Sequence, residues 1–225
     1  ENGNLNIKEN LSKPEFENII TEDLQTIEDC INSTLLISGL SEKEIDLVFI
    51  TGGTGFLGRR IVKILEKKGI LHIVTSKSLG TDFRNFKQTL NFFNIHKPTV
   101  VIHAAAFIGG IKFGLEHEGE IYFNNIIMST NLIEAARISK VEKFISPIAN
   151  CSYPGTKIKI LKESEFWDGP LHESVLTYGL VRKAQWAQTW AYHNQYKMNF
   201  VNLILPNMYG PGDYFDPMRS HALGA

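Results

Sequence analysis

The chain has 225 residues, of which 43% are hydrophobic and 21% charged, and its formal net charge at pH 7 is -1. A chain of this size can bury a large core, and its near-neutral charge gives no reason to expect a nucleic-acid or acidic partner. Cys30 and Cys151 are far apart without metal-ligand spacing, and no apolar run approaches the roughly 18 residues that span a bilayer. We therefore expect a cytoplasmic protein that binds no metal, membrane or nucleic acid.

Residues 1–45 predict an N-terminal helical extension. The first 14 residues are polar, whereas residues 19–40 carry isoleucine and leucine near helical spacing. From residue 46 the pattern changes to short apolar runs that alternate with longer helical segments. The sequence therefore predicts a separate domain over residues 46–212. Its first turn, described next, predicts that this domain binds a dinucleotide.

That turn is glycine-rich and occupies residues 52–58. It follows the apolar run 48–50, typical of a buried strand, and precedes the helical run 59–68. Glycines let the backbone turn sharply and approach a pyrophosphate, and the positive N-terminal end of the following helix attracts that anion. Strand, turn and helix in this order predict a dinucleotide-binding turn.

Strands and helices alternate after the turn. The pattern predicts further strands at 71–75, 99–104, 143–147 and 200–205, and helices at 83–94, 120–139 and 178–196. This alternation predicts an α/β fold with a doubly wound, Rossmann-like parallel sheet. Trp186 and Trp190 lie at helical spacing in the last of these helices, and we expect them to pack against the sheet or a partner helix.

A loop rich in glycine and proline follows the last predicted strand, at residues 209–217. A sheet of this kind binds its ligand at the carboxyl ends of its strands, and a substrate needs walls beyond the cofactor-binding domain. We therefore expect residues 213–225 to begin a substrate-binding domain that is largely absent from this chain. Either the chain is a fragment of a longer enzyme or a partner supplies the missing walls, and we favour the fragment.

The end of the second predicted strand favours NADP over NAD. An acidic residue there would bind the ribose 2′-hydroxyl and repel a 2′-phosphate. The chain has Ser76 and Lys77 instead, and Arg59 follows the last glycine of the turn. Hydroxyls and cations favour a 2′-phosphate, while NAD stays an alternative because either cation alone is equally well explained as a solvated side chain.

Several motifs together resemble the extended short-chain dehydrogenase/reductases of the NAD-dependent epimerase/dehydratase family. They are GGTGFLG at 52–58, VVIHAAAFIGG at 100–110, NNIIMSTNLIEAA at 124–136, NCSYP at 150–154, TYG at 177–179, and PNMYGPGDYF at 206–215 with Ser220-His221. Within that family the sequence is most similar to the GDP-L-fucose synthases, which epimerise and then reduce a GDP-4-keto-6-deoxyhexose. The resemblance covers residue 46 to the end of the chain.

The resemblance implies a cofactor site drawn from the glycine turn and from the ends of the following strands. The matching positions are Gly52, Gly55, Phe56, Leu57, Gly58, Arg59, Ser76, Lys77, Asp82, Ala104, Ala105, Tyr178, Arg182 and Pro206. It places Asp82 against the adenine and Asn207 near the nicotinamide and the sugar. Asn150 and His221 are implied as further substrate contacts.

For reduction, the resemblance makes Tyr178 the proton donor to the substrate carbonyl oxygen. The family places a lysine four residues later on the same helix face, whereas this chain has Arg182 there and Lys183 one step beyond. Arginine is a permanent cation that can still stabilise a phenolate and bind the cofactor ribose, but its planar fork is no geometric copy of an ammonium.

Ala149 is a second departure from the family pattern. It stands where resembling enzymes have a serine or threonine whose hydroxyl polarises the carbonyl. Asn150, Ser152 or a water then has to substitute. Losing one such hydrogen bond typically costs a few kcal/mol of transition-state stabilisation, which slows an enzyme without necessarily abolishing its activity.

For epimerisation, the resemblance makes Cys151 the base and His221 the acid at the ring carbons next to the C4 ketone. That ketone acidifies the neighbouring C–H bonds, so one group removes a proton and another delivers one to the opposite face. Ordinary thiol and imidazole pKa values of about 8.5 and 6.5 suit this exchange near neutrality. The other histidines show no metal-like pairing and are assigned no role: His72, His96, His103, His117, His172 and His193.

We therefore expect an NAD(P)-dependent nucleotide-sugar epimerase/reductase acting on an NDP-4-keto-6-deoxyhexose. Ala149 and Arg182 keep open a second class, a dinucleotide-binding protein that has kept the fold and lost the chemistry. A third alternative is another sugar-nucleotide reductase or 4-epimerase. A 4,6-dehydratase is disfavoured because residues 149–154 lack the adjacent Asp-Glu pair of resembling dehydratases. Resembling enzymes often dimerise through two helices, which here would be the predicted helices 120–139 and 178–196.

Overall fold

A parallel five-stranded sheet organises the computed structural model, which describes residues 45–155 and 160–208. In chain order the strands are β1 Val48–Thr51, β2 His72–Thr75, β3 Val100–His103, β4 Lys143–Ala149 and β5 Phe200–Leu205, and they lie side by side in the order β2-β1-β3-β4-β5. The predicted doubly wound, Rossmann-like α/β fold is confirmed. The predicted N-terminal extension and the predicted start of a substrate-binding domain lie outside the described residues, apart from residue 45.

The order in which strands are added to the sheet reverses at β1. The chain runs from β1 to β2 on one side and then crosses back to β3 on the other side, so that β1 pairs in parallel with both. In open parallel sheets, the crevice at such a reversal is where ligands bind. The fold therefore directs attention to the carboxyl ends of β1 and β3.

Helices cover both faces of the sheet. They are α1 Phe56–Lys67, α2 Phe86–His96, α3 Ile111–Glu116, α4 Glu118–Ile138 and α5 Leu176–Tyr196. Helix α2 begins three residues later than predicted because the Asn85 side chain caps it by accepting a hydrogen bond from the Gln88 amide at 3.1 Å. The short helix α3 was not predicted, since its six residues contain Gly114 and show no helical apolar period. No helix within the described ranges is long and apolar enough to cross a membrane.

Alternation along the strands divides the core into two layers. Phe49, Val101 and Phe144 point to the face covered by α2 and α4, where Phe49 meets Phe92 and Phe93 with ring centroids 4.6 and 5.5 Å apart. The neighbouring strand residues point to the opposite face, where they pack against α1: Val48, Ile50, Val100, Ile102 and Ile145. Both faces of the strands are buried, which is typical of a parallel sheet.

A third cluster packs beneath the beginning of α5. It contains Phe166, whose ring lies 4.3 Å from that of Trp186, together with Tyr153 and Ile148. Trp190, by contrast, is 66% exposed. The prediction that Trp190 packs against the sheet is therefore wrong, because this side chain lies on the solvent side of α5. The other predicted contact, a partner helix, stays a prediction.

Candidate functional site

The residues predicted to bind ligand gather along one edge of the sheet. Because all the strands are parallel, they end at the same edge, where the segments that follow them meet. The glycine turn follows β1, Ser76 and Lys77 follow β2, and Ala104 and Ala105 follow β3. Asn150 and Cys151 follow β4, and Pro206 and Asn207 follow β5. His221 lies outside the described residues.

The glycine turn packs closely against the segment after β3. Gly52 has φ +68, and a Cβ added to it would lie 2.7 Å from both the Cα and the amide nitrogen of Ala105. Gly58 in the first turn of α1 is equally constrained, since a Cβ there would collide with the Gly52 carbonyl oxygen. Only glycine fits both positions, so this turn can bring bare backbone up to a ligand.

The N-terminal end of α1 has the features that an anion needs. Gly55 is the N-cap, no side chain caps the helix, and no acidic residue lies in its first turn. The first amide groups of the helix and the positive end of its dipole therefore meet no carboxylate of that turn. This backbone fits the pyrophosphate of a dinucleotide, with Phe56 and Leu57 in the turn that would hold it.

The segment after β2 is polar and contains a strong ion pair. Arg84 donates from Nε and Nη2 to the two oxygens of Asp82 at 2.8 and 2.5 Å, and from Nη1 to Asn124 Oδ1 at 2.6 Å. Hydrogen bonding from Arg84 lowers the pKa of Asp82 to about 2 against the opposing effect of burial. Asp82 is therefore ionised and already bound on both oxygens, so an adenine contact would have to share this carboxylate with Arg84.

Ser76 and Lys77 stand on the solvent side of that segment. Ser76 precedes a short 3-10 turn, Lys77–Leu79, and its hydroxyl lies 2.8 Å from that of Ser78. Lys77 and Arg59 are exposed. No carboxylate follows β2 until Asp82, so the segment presents hydroxyls and cations as the sequence predicted.

Asn125 fixes the loop after β3, although no role was assigned to it from the sequence motif at 124–136 in which it lies. Its side chain is fully buried on α4, accepts from the Phe107 amide at 2.8 Å and donates to the Phe107 carbonyl at 2.7 Å. A side-chain amide that pairs with both backbone groups of one residue acts like a strand partner. Asn125 therefore holds the segment that carries Ala104 and Ala105.

His103 is a second buried group that the sequence left without a role. It ends β3, is fully buried, and joins Thr51 Oγ1 on one ring nitrogen at 2.8 Å to Ser129 Oγ on the other at 3.0 Å. Burial lowers the pKa of His103 to about 3, and the charge of Arg182 acts in the same direction. The imidazole is therefore neutral and links the ends of β1 and β3 to α4.

Tyr178 and Arg182 form a direct pair in the first two turns of α5. Arg182 donates to the Tyr178 phenol oxygen from Nε at 3.1 Å and from Nη2 at 2.8 Å. Arg182 is 4% exposed, whereas Tyr178 is only half-buried. The Tyr178 phenol is thus in contact with a buried permanent cation, while solvent still reaches part of the tyrosine.

Helix α5 packs directly against the turn that carries Cys151. A Cβ on Gly179 would lie 2.8 Å from the Cys151 carbonyl oxygen, and Ser152 Oγ donates to the Gly179 carbonyl at 3.2 Å. This close approach places the start of α5, which carries Tyr178, against the turn that carries Cys151. The buried Ser152 hydroxyl is also directed to the helix. Of the two side chains expected to replace the hydroxyl missing at Ala149, Asn150 and Ser152, this leaves Asn150.

The Cys151 thiol does not have the ordinary pKa assumed from the sequence. It is half-buried, and burial raises its pKa to about 11, although the positive charge of Arg182 opposes that rise. At neutral pH the thiol is protonated. Removal of a substrate proton by Cys151 therefore requires either a small thiolate population or a change in its surroundings when substrate binds.

Lys183 does not replace the family lysine. Its ammonium donates to the Phe166 carbonyl at 2.6 Å and lies 4.8 Å from the Trp167 ring centroid. Burial lowers its pKa. Lys183 anchors the segment before α5, and Arg182 is the cation at Tyr178. In the described part of the chain, no group of three or more His, Cys, Asp or Glu residues could hold a metal ion.

Comparison with known proteins identifies the relatives of this chain. The model of the NAD dependent epimerase/dehydratase family matches residues 48–225. A GDP-L-fucose synthase from Azorhizobium caulinodans is 30% identical over 178 residues, which are 79% of this chain and 57% of that relative.

Solved structures give the same fold. A GDP-L-fucose synthetase from Naegleria fowleri, described as bound to NADP, has a TM-score of 0.69 and 27% identity over 82% of this chain and 60% of its own. A GDP-D-glycero-L-gluco-heptose synthase from Campylobacter jejuni has a TM-score of 0.76 at 24% identity, over 82% of this chain and 54% of its own, and supports the fold alone. The chain thus spans little more than half the length of these proteins.

Proposed function

The chain belongs to the NAD dependent epimerase/dehydratase family, and we propose that it is the cofactor-binding part of an NADP-dependent nucleotide-sugar epimerase/reductase acting on an NDP-4-keto-6-deoxyhexose. One observation carries this proposal. Helix α5 places the Tyr178–Arg182 pair against the Cys151 turn, at the same edge of the sheet as the glycine turn. A proton donor, its cation and a thiol thus surround the place where a cofactor and a ketone would meet.

The glycine turn and the residues after β2 would hold the cofactor. The uncapped start of α1 suits the pyrophosphate, and Ala104 and Ala105 line the same crevice. Lys77, Ser76 and Arg59 favour the 2′-phosphate of NADP over a free hydroxyl. The Naegleria relative described as bound to NADP supports this assignment.

In the reduction, NADPH supplies the hydride and the chain supplies the proton. Tyr178 donates its phenol proton to the carbonyl oxygen of the sugar. The two N–H groups of Arg182 that face the phenol oxygen stabilise the phenolate left behind, because charge-assisted hydrogen bonds are the strong ones. Asn150, directly after β4, takes the place of the hydroxyl that is missing at Ala149.

In the epimerisation, Cys151 and His221 exchange protons at the carbons next to the ketone. Cys151 acts as a thiolate formed in a minor fraction at neutral pH, since its pKa lies at about 11. The nearby charge of Arg182 favours that thiolate. The cation of the reduction site therefore also serves the epimerisation site.

A second candidate is a dinucleotide-binding protein without catalysis. Ala149 and Arg182 favour it, because each replaces a residue on which resembling enzymes depend. The two candidates differ in chemistry and share the cofactor site, so binding of NADPH alone does not separate them.

We also propose that the full-length protein is a homodimer that pairs through α4 and α5. These helices pack against each other and expose apolar side chains, among them Phe123 at 59% and Trp190 at 66%. Sedimentation velocity of the full-length protein should give twice the mass of one chain. A monomer at about micromolar concentration, where stable dimers persist, would contradict the assembly.

Incubation of the full-length protein with GDP-, dTDP-, UDP- and CDP-4-keto-6-deoxyhexoses, with and without NADPH, tests the proposed chemistry. NMR would follow deuterium incorporation from solvent, and absorbance would follow NADPH oxidation. We expect incorporation without NADPH and oxidation with it, with incorporation lowered about a hundredfold by Cys151→Ser. Incorporation without oxidation would mean an epimerase, and neither signal would favour the binding protein.

A further inference from the structure

A buried chain of side-chain hydrogen bonds runs from Tyr178 into the core of the sheet. Arg182, which contacts the phenol, also donates from Nη1 to Gln185 Oε1 at 2.6 Å. The same Gln185 oxygen accepts from Ser129 Oγ at 3.3 Å, and Gln185 Nε2 donates to Ser146 Oγ. Gln185 is 0% exposed. Its amide is therefore held on both sides by residues of other elements, Ser129 on α4 and Ser146 on β4.

This arrangement fixes the plane of the guanidinium. An arginine side chain has many rotamers, and a hydrogen bond to one phenol oxygen leaves the fork free to tilt. Gln185 holds the Nη1 edge from behind, so the opposite edge, with Nε and Nη2, faces the phenol oxygen. Gln185 lies three residues after Arg182, on the same side of α5. The amide thus sets the direction in which the cation is presented.

We propose that Gln185 is a positioning residue for the reduction, which it serves by holding the Arg182 guanidinium so that two N–H groups converge on Tyr178. The catalytic consequence rests on the proposed function, whereas the positioning itself does not. An alternative role for Gln185 is purely structural, in that its amide only satisfies the buried hydroxyls of Ser129 and Ser146. The two roles differ in what happens to Arg182 when Gln185 is changed.

Hydrogen exchange of the Arg182 Nε–H group, measured by NMR on the ¹⁵N-labelled full-length protein, separates the two roles. The signal is assigned by its loss in Arg182→Lys. Gln185→Met keeps the length of the side chain and removes its three hydrogen bonds, to Arg182, Ser129 and Ser146. If Gln185 positions Arg182, this change should speed exchange of Nε–H at least about tenfold, while backbone amides of β1 and β3 keep their protection.

Three further variants complete the test. Gln185→Glu keeps an acceptor for Arg182 and should keep the slow exchange. Gln188→Met is the matched control, since Gln188 lies on the same helix and its side chain hydrogen-bonds Thr130 O at 3.5 Å and the Tyr192 side chain rather than Arg182. Should Gln185→Met fail to fold, Ser146→Ala carries the test, because it removes the hydrogen bond that holds Gln185 Nε2 without touching Arg182. Unchanged Nε–H exchange in the folded variant would overturn the proposal.

A double-mutant cycle then tests the catalytic consequence. With Arg182 present, Gln185→Met should lower kcat for reduction about tenfold or more and change KM for NADPH by less than about threefold. In the Arg182→Lys background, the same change should lower kcat by less than about twofold, because there is no fork to position. Equal losses in both backgrounds would overturn the positioning role in catalysis. If the wild-type protein reduces no substrate, the proposed function fails, and the exchange measurement still decides whether Gln185 positions Arg182.

Discussion

Arg182 reaches the phenol oxygen of Tyr178 with two nitrogens of one guanidinium, Nε at 3.1 Å and Nη2 at 2.8 Å. Both N–H groups lie on one edge of a rigid plane, so both hydrogen bonds form or break together. In the proposed reduction, a permanent cation held in this way would favour the phenolate that remains after Tyr178 gives up its proton. An arginine at this position thus contacts the phenol with a geometry that a lysine does not have.

Restoring a hydroxyl at position 149 should speed the reduction. Ala149 ends β4 beside the Cys151 turn, where a hydroxyl would donate to the substrate carbonyl oxygen. We expect Ala149→Thr to raise the single-turnover rate of NADPH oxidation by about tenfold or more, given the usual value of such a donor. Ala149→Val has the same shape without the hydroxyl and is the control. Equal rates in the two variants would remove this position from the mechanism.

The close approach at Gly52 should matter more than its backbone angle. Gly52 and Gly69 have nearly equal φ values, +68 and +67, but a Cβ on Gly69 would meet nothing within 4 Å. Gly69→Ala should therefore cost about 1 kcal/mol of unfolding free energy and leave NADPH affinity unchanged. Gly52→Ala adds the collision with Ala105 and should weaken NADPH binding at least about tenfold. Calorimetry that shows equal affinities for the two variants would contradict the role of the turn.

NADPH should bind more tightly than NADH, and Lys77 should account for much of the difference. A charge-assisted contact to the 2′-phosphate contributes roughly 1.5 to 3 kcal/mol, which is a preference of about tenfold or more. Lys77→Ala should reduce that preference and leave NADH affinity unchanged. Lys140→Ala is the control, because Lys140 precedes β4 at the opposite edge of the sheet. A preference for NADH that survives Lys77→Ala would show that the cofactor assignment is wrong.

The buried His103 should make the protein less stable in mild acid. Its pKa is about 3 in the folded protein because of burial, and about 6.5 in the unfolded chain. As the pH falls, the unfolded state therefore takes up the proton before the folded state does. The free energy of unfolding is highest above pH 6.5 and decreases as the pH falls below that value. We expect the free energy of unfolding to be about 2 kcal/mol lower at pH 5 than at pH 7.5.

Urea titrations of wild type and His103→Gln would check this expectation, because the variant should lack most of that pH dependence. Asp82 acts outside the window, since its pKa is 3.8 in the unfolded chain and about 2 in the folded protein, and both values lie below pH 5. His193→Gln serves as an exposed control. The same pH dependence in His103→Gln and wild type would contradict the account.

The fold and the edge that carries the site could be predicted from the sequence, because both follow from local patterns. Apolar runs gave the strands, and Gly52 and Gly58 occupy positions that only glycine fits. The buried polar contacts could not be predicted, since Asn125, His103 and Gln185 owe their roles to partners on other elements. Each is an ordinary polar residue until the sheet brings those partners within hydrogen-bonding distance.

The state of Cys151 could not be predicted for a related reason. Its pKa depends on how much water reaches the turn after β4 and on the distance to Arg182, and neither is written in the motif. The boundaries of α2 and β4 likewise depend on capping and on pairing with a neighbouring strand. Sequence patterns thus predict which residues lie at the same edge of the sheet, whereas their burial and hydrogen bonds depend on packing in the folded protein.

Transfer of deuterium from NADPH carrying the label at the nicotinamide C4 position, followed by mass spectrometry of the sugar, tests the central claim most directly. The full-length protein and its Tyr178→Phe variant would be compared with the 4-keto sugar nucleotide that is turned over best. We expect wild type to place the label on the sugar carbon, and Tyr178→Phe to lower that rate at least about a hundredfold while its affinity for NADPH changes little. Equal label transfer by Tyr178→Phe, or none by wild type with any of the sugar nucleotides, would contradict the account.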